Sequence, residues 1–155
     1  MTMSSNLPPA ALDSAAGSGE NQVRLTLHLP LPSRMLSPHW RGAWTVAAAA
    51  KRQARSTAKR EAMRLLEEIG LAPPRWAKGR LLAIGHQAHP RFPDPEEFVA
   101  ALKAYLDGFA EAGLLAPDRD FWPDRPQFHL VESHPYLELT LEPDLADGVN
   151  IVPFS

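Results

Sequence analysis

The chain has 155 residues, 45% hydrophobic and 22% charged, which fits one globular domain with enough apolar material for its own core. It has no cysteine, which excludes a disulfide framework and a cysteine-based zinc site and suits a reducing cytoplasm. The net charge of −2 argues by itself against nucleic-acid binding, but residues 23–80 carry twelve Lys and Arg against three Asp and Glu, and residues 81–155 four against thirteen.

Residues 1–22 are rich in Ser, Gly, Ala and Pro and lack periodicity, so a disordered tail is expected. The segment has neither a basic n-region nor a continuous apolar h-region and does not read as a signal peptide. No run of about 18 apolar residues occurs anywhere, so no transmembrane helix is expected. The domain itself is expected over residues 23–143.

Residues 23–29 (VRLTLHL) alternate apolar and polar side chains, as in a half-buried strand, and Pro30 and Pro32 end it. A turn-rich stretch leads to a long helix over 43–70, built from Ala, Arg, Lys, Glu and Leu and stopped by Gly70. Its apolar stripe is Val46, Ala50, Ala54, Ala58, Leu65, Leu66 and Ile69. The small alanines would let it lie close against a neighbour. Pro73-Pro74 reads as a stiff linker and residues 80–86 (RLLAIGH) as a second strand.

A second helix is predicted to start with Asp94 as N-cap and Pro95 at its first position, and to close at Gly113. Phe98, Leu102, Tyr105, Leu106 and Phe109 form its buried face. Residues 116–126 read as a proline-punctuated loop. Residues 128–132 and 136–142 read as strands that a short turn would join into a hairpin. Residues 144–155 read as a loose acidic tail. This order predicts an α/β fold: a mixed sheet of about four strands packed against two main helices.

Several charged residues point to chemistry. Glu96, Lys103 and Asp107 fall roughly along one helical stripe, with Asp94 at its start and Asp118 just past its end. Clustered carboxylates repel unless a cation lies between them, and magnesium is held by one or two such groups plus phosphate oxygens. The same spacing also describes a capped helix with a Lys103–Asp107 surface ion pair. Lys51, Arg52, Arg55, Lys59 and Arg60 cluster on the long helix, with Arg34 and Arg41 before it. These suit DNA phosphates or a solvated face. Trp40 and Trp44 are four apart and are expected in core packing or a dimer contact before base stacking. The six histidines read as ordinary.

The stretch DPEEFVAALKAYLDGFAEAGLLAPD resembles the core motif of RusA-like Holliday junction resolvases, which runs Asp-x-Asp-Asn, Lys-Ala, Asp-Gly-Leu, Ala-Gly and Asp-Asp. Asp94 fits the first aspartate, Glu96 the second, Lys103-Ala104 the Lys-Ala pair and Asp107-Gly108-Phe109 the Asp-Gly-Leu, with Asp118 matching a metal-binding aspartate. Glu97 stands in place of asparagine and Pro117 in place of an aspartate. Ser37-Pro38-His39, followed by Trp40 and a basic helix, resembles the family's early Ser-Pro-Asn motif. The likeness spans roughly 23–141.

That resemblance implies a homodimeric nuclease cutting branched DNA in recombination and repair. Asp94, Glu96 and Asp118 would hold Mg2+, or Mn2+ as substitute, with Lys103 beside the scissile phosphate. Arg34, Arg41, Lys51, Arg52, Arg55, Lys59 and Arg60 would hold DNA. The departures at Glu96, Glu97 and Pro117 leave a second expectation open, a DNA-binding module of the same fold that has lost cleavage.

Overall fold

A computed structural model describes residues 11–14 and 23–145. The strands are β1 (Ala11–Ser14), β2 (Val23–Leu29), β3 (Trp76–Gln87), β4 (Leu115–Pro123), β5 (Gln127–Leu130) and β6 (Tyr136–Pro143). The helices are α1 (Trp44–Ile69), α2 (Pro95–Ala101) and α3 (Lys103–Glu111), with one 3-10 turn at Arg34–Leu36.

The fold is α/β with a mixed six-stranded sheet in the order β1-β2-β6-β3-β4, and β5 also pairs with β3. The alternation in β2 buries Leu25, Leu27 and Leu29 and turns Arg24, Thr26 and His28 to the other face. Register then builds rows across three strands. Leu141 lies between Leu25 and Leu81, and Leu139 between Leu27 and Ala83. In the third row Leu137 lies between Leu29 and Gly85, where a Cβ would stand 3.1 Å from the Phe128 ring. Glycine at Gly85 leaves room for that aromatic.

Helices α1 and α3 add Ala54, Ala58, Ala62, Leu65, Tyr105 and Phe109 to the core, with Leu102 just before α3. The expected alanine stripe therefore faces α3. Its first member, Val46, is exposed instead, because α1 begins beyond the edge of the core. Gly70 takes the left-handed φ of 69° that ends α1, and its N–H bonds to the Glu67 and Leu66 carbonyls. Gly113, at φ 84°, ends α3, where the Leu114 N–H reaches the Phe109 carbonyl at 3.0 Å.

Four sequence-based expectations are corrected. The predicted loop 116–126 is largely strand β4, parallel to β3 on its outer edge, where Pro117 and Pro123 cost the sheet little. β5 and β6 form no hairpin, because they pair with opposite edges of β3, one parallel and one antiparallel. The second helix is not continuous: at Leu102 the N–H bonds to Val99, three residues back, and divides it into α2 and α3. Strand β3 starts at Trp76, earlier than expected, and that indole is buried.

Within the segment predicted as a tail, residues 11–14 form β1, antiparallel to β2. The rest of that segment and most of the expected C-terminal tail, residues 146–155, lie outside the described residues. Among the described residues no helix is long and apolar enough to cross a membrane.

Candidate nucleic-acid interface

After β2 the chain turns at Pro30 and enters the 3-10 turn, whose N-cap Ser33 accepts from the Met35 N–H at 3.2 Å. Leu36 is buried and pins this turn to the core. Ser37 follows. Its hydroxyl accepts from the His39 N–H at 3.1 Å and donates to the Glu97 carboxylate at 2.9 Å. Glu97 stands in the first turn of α2, where Asp94 caps the helix by accepting from the Glu97 N–H at 3.1 Å. The two separated motif segments, Ser37-Pro38-His39 and the stretch from Asp94 onward, thus meet through one hydrogen bond.

Two adjoining cavities lie beside this bond and share Ser37 and Ala101 in their walls. The larger, about 720 Å3, carries Arg34, Arg41 and Arg91, with Glu97 its one carboxylate. The smaller, about 350 Å3, carries Lys51, Arg55 and Lys103, with Asp107 its one carboxylate. Six fixed cations against two carboxylates make the cleft electropositive, and its concave walls focus that field on an incoming anion.

The structure gathers part of the predicted DNA-binding set. Arg34, Arg41, Lys51 and Arg55 line the cleft. Arg55 also faces Glu111 on α3 at 3.5 Å, and Lys59 faces it at 4.0 Å, so Glu111 offsets part of their charge. Arg52 and Arg60 are exposed on α1 and, among the described residues, form no ion pair; neither lines the cleft. The predicted Lys103–Asp107 pair is present at 3.5 Å, and Asp107 also accepts from Arg119.

The expected metal ligands are not assembled. Among the described residues no three of the His, Asp and Glu side chains form a group that could hold a metal ion. Asp94 commits an oxygen to its cap, and Glu96 is exposed and, among the described residues, forms no ion pair. Asp118 is exposed on β4. Strand alternation sends Asp118 away from its neighbour Arg119, which turns toward Asp107. The acids expected beside one ion therefore do not fit a shared cage.

Sequence reasoning missed Arg91 and Arg119. Arg91 sits in a loop without periodicity, and Arg119 meets Asp107 only because the chain reverses at Gly113. The contact of Glu97 with Ser37, 60 residues away, is likewise absent from any local pattern, and its carboxylate holds the Ser37 segment in place. Trp44, expected with Trp40 in core packing or a dimer contact, is 78% exposed, whereas Trp40 forms part of the larger cavity's wall.

No family model matches the chain. A protein of Xylella fastidiosa (strain Temecula1 / ATCC 700964), described as an uncharacterized protein, is 38% identical over 138 residues. The match covers 88% of this chain and 78% of that protein.

Proposed function

We propose, for a chain that belongs to one family with the uncharacterized Xylella fastidiosa protein, that the cleft binds the sugar-phosphate backbone of branched DNA. The observation that carries this reading is the meeting of Ser37 and Glu97 at the junction of two cavities that hold Arg34, Arg41, Arg91, Lys51, Arg55 and Lys103. Each phosphate neutralised there would release condensed counterions, which gives affinity without reading base edges. The resemblance of both cleft-forming segments to RusA-like resolvases selects a four-way junction as the substrate. A two-fold homodimer would present two such clefts to a junction of near two-fold symmetry. Recombination or repair in the cytoplasm goes with this function.

A second reading adds cleavage, as a magnesium-dependent crossover junction endodeoxyribonuclease. It is favoured by Glu97 and Asp107, whose carboxylates lie in the cleft with Lys103. The positions of Asp94, Glu96 and Asp118 do not support it.

A synthetic four-way junction tests both. Binding predicts a retarded band at low salt that fades as salt rises, with or without magnesium. No retarded band at low salt would reject the proposal. Cut strands appearing only with magnesium or manganese would establish the second reading, and an Asp118→Asn variant that still cut at full rate would remove Asp118 from it.

A further inference from the structure

The larger cavity has a wall chemistry that phosphate binding alone does not use. Besides its three arginines it is walled by Leu31, Pro32, Trp40, Phe92 and Phe98. At about 720 Å3 it falls within the range of small-molecule sites. A cleft that met only backbone phosphates would gain nothing from desolvating the Phe92 ring and the half-buried Trp40 indole.

We propose that this cavity receives a single unpaired nucleobase at the branch point. The inference rests on the branched-DNA reading above and names the feature of the branch that the cleft senses. A nucleobase is a flat π-surface joined through its sugar to a phosphate, so it needs an aromatic platform with cations at the rim. The cavity supplies both.

The platform is packed against its surroundings. A Cβ at Gly42 would lie 2.2 Å from the Trp40 ring, so the absence of a side chain there lets the indole lie against the backbone. Phe92 stacks on Phe128 with centroids 5.4 Å apart and planes 18° apart, and Phe98 meets Phe128 edge-on at 4.9 Å. Phe92 stays 44% exposed within the cavity wall, and a stacked base would cover it. Arg34, Arg41 and Arg91 lie in the same walls, placed for the nucleotide's phosphate.

The concave shape selects an extrahelical base, because a paired base stays inside its stack and offers only an edge. A base without a partner pays less to leave the helix, so a branch point is where extrusion is cheapest.

Three junctions of one sequence test this by titration with the full chain: one fully paired, one with an unpaired thymine at the branch, and one with an abasic residue at that position. The proposal expects the unpaired thymine to bind about tenfold tighter than the other two. A Trp40→Leu variant whose urea unfolding matches the parent should lose that advantage. Equal affinity for all three junctions overturns the base pocket and leaves backbone binding standing. An abasic junction as tight as the thymine one overturns it too, since flexibility alone would then explain the gain. No binding of any junction overturns both readings.

Discussion

Tyr105 illustrates how one side chain sets the position of the cleft. It is 3% exposed, and its hydroxyl donates to the Pro30 carbonyl at 2.6 Å. That bond ties α3 to the end of β2, where the segment carrying Arg34 and Ser37 begins. Tyr105→Phe should lower unfolding stability by about 1 kcal/mol, read from urea midpoints at neutral pH. Burial also raises the phenol's pKa well above its ordinary value. The neutral form is thus favoured by the folded chain. Its contribution is complete below about pH 10, the unfolded value, and is lost as pH rises toward the higher folded value. The stability gap between parent and Tyr105→Phe should therefore narrow above about pH 10. Tyr136 shifts the same way, mainly by burial and then through Glu138, but is present in both proteins and cancels. A gap constant with pH would contradict the assignment.

Between elements, α1 and α3 cross at close range. A Cβ on Gly108 would stand 2.3 Å from the Arg55 carbonyl oxygen and 2.8 Å from the Ala58 Cβ. Two opposing effects meet here. Alanine is the better helix former by about 1 kcal/mol. Against that, the clash is with backbone, which cannot rotate away, and overpacking of this kind costs about 1–3 kcal/mol. Gly108→Ala should therefore destabilise in urea unfolding. It should also weaken junction binding, because parting the helices separates Lys51 and Arg55 of α1 from Lys103 of α3. A variant as stable as the parent would show that the crossing is looser than its geometry implies.

At the scale of the molecule, a chain of net charge −2 is expected to bind a polyanion because its folding sorts charge by place. Cations from the 3-10 turn, α1, the loop before α2, and α3 converge on one cleft, while several acids of the second half pair with other basic residues away from it. On the opposite sheet face Glu142 lies 2.6 Å from Arg24, and Glu138 lies 3.1 Å from His86. The prediction concerns salt. Each phosphate contact adds about 0.9 to the slope of log affinity against log salt, so Lys51→Ala should flatten that slope by about one. Lys59→Ala, at a position outside the cleft and facing Glu111, should flatten it less. Equal slopes in the two variants would place the DNA elsewhere on α1.

The sequence alone determined the features that depend on near neighbours. Gly70 and Gly113 stop helices because they tolerate positive φ, Asp94 caps because its carboxylate reaches an N–H three residues on, and the alternating leucines of β2 mark its buried face. These are short-range steric and hydrogen-bonding effects, written in consecutive residues. Only the tertiary structure decided that residues 115–123 form an edge strand despite their prolines, that β3 separates β5 from β6, that Arg119 turns to Asp107, and that Ser37 finds Glu97 across 60 residues. It also decided that Asp94, Glu96 and Asp118 stay out of a common group. Which carboxylates meet depends on how the sheet edge and the broken second helix pack. That packing is settled by burial summed over the whole core, and no local spacing encodes it.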